Sequence, residues 1–255
     1  MSPKRFLTEG RVHAFAHRGD SAEHPPGNRW SAFASAVDVG CDHIESDAHL
    51  TSDGEVVLFH DDRLDDETTA AGELADATWQ ELRDVRYTAD GEVGDEGPMR
   101  LADALEQWPD AFWNLDAKHD RVVGPLVETV VRAGATDRVL LTAFSWRRLR
   151  RLRRLGEGLA TGHSATELFV LRVLAWMRIP LPRVGDAVQL PECWKGLTVV
   201  DERFVDACHR AGIAVHVWTI NEPDDMDRMF DLGVDAVMTD RPRVLRDVLK
   251  RRGVW

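Results

Sequence analysis

Two pairs of charged side chains have the spacing expected of groups that share one face of a β-strand. Glu45 and Asp47 are one residue apart in one segment, and Asp116 and Lys118 repeat that spacing later in the chain. Side chains alternate between the two faces of a strand, so each pair points to one side of its sheet. The alternative interpretation is that Glu45 and Asp47 lie at a strand end and point into solvent.

The three carboxylates of these segments, Glu45, Asp47 and Asp116, would repel one another if they converged in a single site. Burying unpaired charges is costly, whereas a bound cation neutralises them. A hard divalent cation fits this donor set, because oxygen-only ligands suit Mg²⁺ or Ca²⁺. We therefore expect one divalent metal ion, Mg²⁺ or Ca²⁺, as the cofactor of such a site.

Two histidines next to strand-like segments have the chemistry of proton-transfer groups. His17 follows the first apolar segment, and His60 precedes Asp61 at the end of the segment that follows Glu55. Histidines near such a site can serve as general acid and general base. The alternative interpretation is that each histidine is only a polar residue that ends a strand.

The elements that must position these residues follow from the alternation of short apolar segments with helical patterns, which predicts a parallel sheet. Eight such strands in 255 residues favour a closed (β/α)₈ TIM barrel, whose chemistry takes place at the carboxyl ends of the strands. Asp53-Gly54 between two strand-like segments predicts a small extra hairpin strand near the catalytic face. Asn28 is expected to cap the first helix, and Gly40 to end it. Because no linker interrupts the pattern, residues 1–255 are expected to form a single domain.

The composition excludes several classes of protein. Lys plus Arg total 32 and Asp plus Glu total 44, and the resulting net charge of −12 does not suit a protein that coats nucleic acid. The three cysteines are an odd number and cannot form a complete disulfide framework, so reduced thiols and a cytoplasmic location are expected. Met1 to Gly10 lacks the apolar region of a signal peptide, and no apolar stretch is long enough for a membrane span.

Taken in order, short segments along nearly the whole chain resemble those of the glycerophosphodiester phosphodiesterase family. The matching segments are His17-Arg18-Gly19, Ile44-Glu45-Ser46-Asp47, Thr51-Ser52-Asp53-Gly54, His60-Asp61, Thr68-Thr69, Asn114-Leu115-Asp116-Ala117-Lys118, Val217-Trp218-Thr219-Ile220-Asn221 and Gly233-Val234-Asp235-Ala236-Val237-Met238-Thr239-Asp240. Two positions depart from the family pattern. Gly27 stands where the family has a glutamate, and Asp116 replaces a metal-site glutamate, as in the related sphingomyelinase D group.

The resemblance also implies a site and an activity. The implied roles are general acid and base for His17 and His60, phosphate binding for Arg18 and Lys118, pocket lining for Trp218, and metal binding for Glu45, Asp47 and Asp116. The implied reaction is metal-dependent hydrolysis of glycerophosphodiesters to an alcohol and sn-glycerol 3-phosphate. The alternatives are a lysophospholipid or sphingophospholipid phosphodiesterase, similar to a lysophospholipase D, and a catalytically silent barrel used for binding.

Two further segments leave alternatives open. Residues 146–155 carry six arginines, which form either a solvated helix face or a docking face for an anionic membrane. Leu168 to Met177 is almost wholly apolar and is either a buried barrel helix or an exposed rim that accepts acyl chains. The expected partner is a small phosphodiester or a lysophospholipid, with peripheral membrane contact under the second interpretation. Nothing in the sequence indicates a protein or nucleic-acid partner.

Overall fold

The computed structural model describes Phe6, residues 12–89 and residues 92–255. The strands in these ranges are β1 (His13–His17), β2 (His43–Leu50), β3 (Val56–Leu58), β4 (Thr88–Ala89), β5 (Glu92–Val93), β6 (Met99–Arg100), β7 (Phe112–Ala117), β8 (Val139–Thr142), β9 (Ala160–Thr161), β10 (Ala187–Pro191), β11 (Cys193–Trp194), β12 (Leu197–Thr198), β13 (Ala214–Trp218) and β14 (Ala236–Thr239). The α-helices are α1 (Trp30–Val39), α2 (Trp79–Leu82), α3 (Leu101–Gln107), α4 (Val123–Arg132), α5 (Trp146–Leu155), α6 (Ala165–Trp176), α7 (Glu202–Arg210), α8 (Pro223–Asp231) and α9 (Pro242–Arg251).

Eight parallel strands form the wall of a barrel, in the order β10, β13, β14, β1, β2, β7, β8 and β9. The two ends of this order meet at Asp186, immediately before β10. Its backbone N–H donates to the carbonyl of Thr161 at 2.7 Å, and its side chain accepts from the N–H of Thr161 at 2.9 Å. The predicted (β/α)₈ barrel is therefore confirmed, with a narrow seam between β9 and β10.

The extra hairpin strand is also confirmed, but it is not the only addition to the barrel. β3 pairs antiparallel with β2 after the Asp53-Gly54 turn, as predicted. β6 extends this pairing from β3, and two further hairpins join β4 with β5 and β11 with β12. Each of these additional strands has two residues, which is too short for an alternating pattern to be visible in the sequence.

The prediction that Asn28 caps the first helix is wrong. Arg29 is the N-cap residue of α1, and its side chain makes no capping hydrogen bond. Asn28 has a φ of 52°, and its side chain instead bonds to Asp47 and Ser46 on β2. The other end of α1 is as expected, because Gly40 ends it with a φ of 98°.

The apolar core between the barrel wall and the helices is divided into two clusters. Side chains of α3, α4 and α5 pack with β2, β7 and β8 in the first cluster. Side chains of α6, α7, α8 and α9 pack with β1, β10, β13 and β14 in the second. The barrel wall is continuous, but its outer apolar layer consists of two halves.

Among the helices of the described ranges, none combines the length and the apolar character required to cross a lipid bilayer. The expectation about Met1 to Gly10 concerns residues that, apart from Phe6, lie outside the described ranges.

Candidate active site

A cavity of about 500 Å³ opens at the carboxyl ends of the barrel strands. All eight residues expected from the sequence line it: His17, Arg18, Glu45, Asp47, His60, Asp116, Lys118 and Trp218. They lie on four barrel strands or within two residues of a strand end, so the fold brings together groups from distant parts of the chain.

The paired strands β2 and β7 place the carboxylates. Their register sets Asp47 beside Asp116 and Glu45 beside Asn114. Glu45 and Asp47 are only 7% and 3% exposed, so the interpretation that they point into solvent is wrong. Lys118 directly follows β7, and its backbone N–H donates to the carbonyl of Ala48 on β2. Strand alternation therefore directs these charged side chains into one cavity.

The turn after β1 directs Arg18 towards the carboxylates. Arg18 and Gly19 both have positive φ angles, of 57° and 82°. A β-carbon on Gly19 would lie 2.6 Å from the carbonyl carbon of Ala32, so only glycine fits at this position. With the chain turned in this way, Arg18 Nε lies 3.4 Å from Asp47 Oδ2.

Asp47 is the most heavily compensated carboxylate of the cavity. Lys118 Nζ lies 2.7 Å from its Oδ1, and the side-chain amide of Asn28 donates to its Oδ2 at 3.0 Å. Burial alone would raise the pKa of Asp47, but the charges of Lys118 and Arg18 outweigh burial and lower it. Asp47 is therefore ionised in the folded protein at neutral pH.

Glu45 and Asp116 are buried carboxylates that lack sufficient partners. No hydrogen-bond partner among the described residues reaches Glu45 Oε2 or Asp116 Oδ1. Burial, followed by the charge of Asp47, raises the pKa of Glu45 to about 7. Burial likewise raises the pKa of Asp116 to about 6, although Lys118 Nζ lies 3.4 Å from its Oδ2. Both carboxylates would gain from an additional positive charge.

His17 is held by a carboxylate behind it. Its Nδ1 lies 2.7 Å from Asp240 Oδ1, and its Nε2 lies 3.8 Å from Glu45 Oε2. Asp240 also accepts hydrogen bonds from Ser21 at 3.0 Å and from Asn221 at 2.8 Å. Burial lowers the pKa of His17, but the hydrogen bond to Asp240 and the charge of Glu45 raise it by more, so the net shift is upward.

His60 has a similar arrangement with the opposite shift of pKa. Its Nδ1 lies 2.5 Å from Asp61 Oδ1. Burial and the nearby cations Arg18 and Lys118 outweigh the charge of Asp47 and lower the pKa of His60. Each histidine thus has a carboxylate at Nδ1, which leaves its Nε2 for other contacts.

The donor set suits a hard cation, although the side chains do not enclose a common point. Glu45, Asp47 and Asp116 offer only oxygen ligands, and two of their buried oxygens have no partner. In the described ranges no three His, Cys, Asp or Glu residues are close enough together to hold a metal ion as they stand. Lys118 lies between Asp47 and Asp116 and supplies the positive charge there.

The structure adds four residues to those expected from the sequence. Asn28 contacts Asp47, Asp61 contacts His60, and Asp240 with its partner Asn221 supports His17. All four occur in segments compared with the family, because Asn28 directly follows Gly27 and the others belong to His60-Asp61, the segment that ends at Asn221 and the segment that ends at Asp240. The sequence segments indicated these residues, but they did not show the contacts with Asp47, His60 and His17.

Residues 17–244 match the family model described as the glycerophosphoryl diester phosphodiesterase family. The chain belongs to this family. By membership it is an enzyme, a glycerophosphodiester phosphodiesterase, and both the expected fold and the expected family are confirmed.

Individual members of the glycerophosphoryl diester phosphodiesterase family match over almost their whole length. The probable glycerophosphodiester phosphodiesterase 2 of Mycobacterium tuberculosis is 36% identical, and the match covers 98% of this chain and 95% of that protein. The human lysophospholipase D GDPD1 is 25% identical, with 96% of this chain and 87% of that protein covered. A phosphodiesterase of Oleispira antarctica, solved with the product sn-glycerol-3-phosphate, has the same fold at a TM-score of 0.74, 22% identity, and coverage of 93% and 96%.

Proposed function

We propose that the cavity hydrolyses glycerophosphodiesters to an alcohol and sn-glycerol 3-phosphate, with His17 and His60 as the acid–base pair. One observation carries this proposal: both histidines are held through Nδ1 by a carboxylate, beside the half-buried cations Arg18 and Lys118. This arrangement is suited to moving protons at a phosphate group. The similarity to glycerophosphodiester phosphodiesterases over nearly the whole chain supports the same substrate class.

Arg18 and Lys118 are proposed to bind the phosphate oxygens. Both line the cavity and already contact the buried carboxylate of Asp47, which holds them at the carboxyl end of β2. A phosphodiester carries one negative charge, and bond cleavage increases the charge on its oxygens. Cations held in place before the reaction stabilise that charge without reorganisation.

The two histidines are proposed to move the protons. The proton on Nδ1 of His17 bonds to Asp240, and the proton on Nδ1 of His60 bonds to Asp61. In each ring Nε2 is therefore the atom that meets the substrate. One Nε2 takes a proton from the attacking oxygen, which belongs to water or to a hydroxyl of the substrate itself. The other gives a proton to the leaving alkoxide as its bond to phosphorus breaks.

Glu45, Asp47 and Asp116 are proposed to hold one Mg²⁺ or Ca²⁺. The unpartnered oxygens and raised pKa values of Glu45 and Asp116 support this assignment. When bound, the ion would neutralise charge on the phosphoryl oxygens. Two of these carboxylates also contact the proposed phosphate-binding cations, since Asp47 pairs with Arg18 and Lys118 and Asp116 pairs with Lys118.

A lysophospholipid is a second candidate substrate. The outer wall of the cavity is apolar and includes Phe144, Leu168, Phe169 and Trp194. The interpretation of Leu168 to Met177 as a wholly buried helix is wrong, because Phe169 and Trp176 are 70% and 72% exposed. An acyl chain that covers this wall would gain about 0.8 kcal/mol for each buried CH₂ group.

The test measures release of choline from glycerophosphocholine and from a lysophosphatidylcholine, with and without EDTA followed by Mg²⁺ or Ca²⁺. We expect turnover that EDTA abolishes and that one of the two metals restores. His17→Ala and His60→Ala should each reduce kcat by about 10²–10⁴-fold. His209→Ala is the matched control, because His209 is exposed, lies outside the cavity and pairs with Asp235.

A catalytically silent barrel would release choline from neither substrate at any metal concentration. Turnover that survives EDTA would exclude the metal while leaving the acid–base pair in place. A kcat/KM for the lysolipid equal to or below that for glycerophosphocholine would exclude the lipid preference. Wild-type kcat in either histidine variant would remove that residue from the mechanism.

A further inference from the structure

One part of the chain has a charge opposite to that of the whole. Residues 144–203 contain eleven Lys or Arg and six Asp or Glu, although the net charge of the protein is −12. This part includes α5, α6 and the β11–β12 hairpin, which lie on one side of the barrel and at its mouth. A local basic surface on an acidic protein indicates a specific anionic partner rather than general solubility.

The same part of the chain also holds most of the exposed apolar surface. Of the seventeen large apolar side chains exposed in the described ranges, twelve lie between residues 144 and 197. Residues 144–197 make up less than a quarter of the chain, so the exposed apolar side chains are concentrated there and not scattered. A concentrated apolar surface of this kind marks a site of interaction.

Three aromatic residues at the mouth belong to this surface. Phe144 follows β8, Phe169 lies in the first half of α6, and Trp194 lies in the β11–β12 hairpin. They are 63%, 70% and 58% exposed, and all three line the cavity. The mouth of the cavity thus has an aromatic rim formed by residues that follow three consecutive barrel strands, β8, β9 and β10.

The apolar surface continues from the rim along the outside of α6. Phe169 is followed on the outer face of the helix by Val173 and Trp176, at spacings of four and three residues. Their exposed fractions are 38% and 72%. Phe169 therefore joins the aromatic rim to the outer face of α6 in one surface.

Basic side chains border this surface on the neighbouring helix and hairpin. Arg147, Arg150 and Arg154 are exposed on α5, and within the described ranges none of the three forms an ion pair. Arg150 stacks on Trp146 with its guanidinium 5.6 Å from the ring centre, and Lys195 Nζ lies 4.8 Å from the ring centre of Trp194. Cations beside exposed aromatic rings are typical of proteins that bind the interfacial layer of a membrane.

We propose that the α5–α6 surface, formed by the aromatic rim, the outer face of α6 and the exposed arginines of α5, docks on an anionic lipid bilayer. The charge selects this partner over a second copy of the chain. A symmetric dimer would bring two copies of the same basic surface together, and like charges would repel. A bilayer that contains acidic lipids offers the complementary charge and an apolar layer for Phe169 and Trp176.

Not every arginine of α5 belongs to this surface. Arg148 pairs with Asp120, and Arg153 pairs with Glu167 at the start of α6. These two arginines fix α5 against its neighbours. The face predicted from six arginines is therefore divided between internal ion pairs and free cations.

Docking in this orientation would turn the cavity mouth towards the lipid. The inference does not depend on the proposed reaction, because docking is measured without turnover. Purified protein is sedimented with vesicles of phosphatidylcholine alone and with vesicles of equal parts phosphatidylcholine and phosphatidylglycerol. We expect binding to the mixed vesicles, weak binding to phosphatidylcholine alone, and a loss of binding at high salt.

Two variants test the two components of the surface. Arg150→Gln with Arg154→Gln should reduce partition to the mixed vesicles about 30-fold, because each basic residue near an anionic surface contributes about 1 kcal/mol. Trp176→Ala should reduce it about tenfold through the loss of apolar contact. Neither change touches the cavity, so both variants should hydrolyse glycerophosphocholine in solution at the wild-type rate.

The matched controls lie on the opposite side of the barrel. Trp255→Ala removes a tryptophan of 42% exposure, and Lys250→Gln with Arg251→Gln neutralises two cations of α9. Both controls should bind vesicles as the wild type does. The proposal is overturned if the mixed vesicles bind no protein, or if test and control variants lose binding equally. It is also overturned if the wild type self-associates through Trp176 in sedimentation velocity, which would identify a second copy as the occupant.

Discussion

Replacing Asp240 by asparagine should disable His17 while leaving the shape of the site almost unchanged. Asp240 does not line the cavity, and it acts through the hydrogen bond that its Oδ1 accepts from His17 Nδ1 at 2.7 Å. It is thus a positioning residue for one of the two proposed proton-transfer groups. The substitution conserves size and removes one negative charge.

The surrounding hydrogen bonds determine how the new amide must sit. The side-chain oxygen of Asn221 accepts from the backbone N–H of Asp240 and from the hydroxyl of Thr239, both at 2.9 Å. This leaves the Asn221 amide nitrogen facing Oδ2 of residue 240 at 2.8 Å. In Asp240→Asn the oxygen must occupy that place, so the new NH₂ group faces His17 Nδ1 and forces its proton onto Nε2.

The expected loss of kcat follows from the new position of the proton on His17. Neutral His17 with its proton on Nε2 cannot accept a proton there, and its charged form loses the carboxylate. A hydrogen bond to a charged group contributes about 1.5–3 kcal/mol, and the wrong position of the proton on the His17 ring adds to this loss. The kcat should therefore fall by about 10²–10⁴-fold. The pKa of His17, which Asp240 and Glu45 raise in spite of burial, should fall, and its limb of the pH–rate profile should move to lower pH.

The assay combines kcat and KM for glycerophosphocholine across pH with ¹⁵N NMR of the imidazole of His17. Ser21→Ala is the matched control, since it removes a hydrogen bond to the same carboxylate oxygen but leaves the charge. We expect this control to lose about tenfold or less. A kcat for Asp240→Asn within about threefold of the wild type, with an unshifted profile, would refute the reasoning.

Two further predictions concern buried ionisable groups. Glu45→Gln should raise the free energy of unfolding by about 1–3 kcal/mol at about pH 8 without divalent metal, because burial and then the charge of Asp47 raise the pKa of Glu45 to about 7. The destabilisation by ionised Glu45 develops as pH rises from the pKa of this residue in the unfolded chain to its pKa in the folded protein. Urea titrations at about pH 4 should therefore show little difference between the variant and the wild type. An equal difference at both pH values would contradict this. In the native protein a dithiobis-nitrobenzoate reagent should modify Cys193 alone, because Cys41 and Cys208 are buried and burial raises the pKa of each to about 12. Rapid modification of a second thiol would contradict it.

The barrel could be predicted because its longer strands and its helix ends leave local signals. The spacing of Glu45 and Asp47 correctly gave their common direction, since alternation is a property of the strand itself. The position of Asp240 behind His17 could not be read in the same way. The two residues are 223 positions apart, and only the pairing of β1 with β14 brings them together.

Burial was the second property that local patterns did not determine. The residues of α6 have the composition of a buried helix, yet Phe169 and Trp176 are largely exposed. An apolar residue type does not specify what covers it, because a core, a partner and a lipid layer all favour the same side chains. Asn28 illustrates the same limit for polar residues, since its sequence position resembled a helix cap and its amide instead contacts Asp47.

Because the outer apolar layer consists of two clusters, we expect the two halves of the barrel to open as separate units in native-state exchange. One of the two boundaries between them is the seam between β9 and β10, where the backbone of Asp186 bonds to Thr161, and native-state amide exchange should be fastest there among the barrel strands. Asp47 and Asp116 lie on β2 and β7, which pack in the first cluster, whereas Trp218 lies on β13, which packs in the second. A substrate that contacts both sides of the cavity would connect the two halves, so its binding should make unfolding more cooperative across the whole barrel.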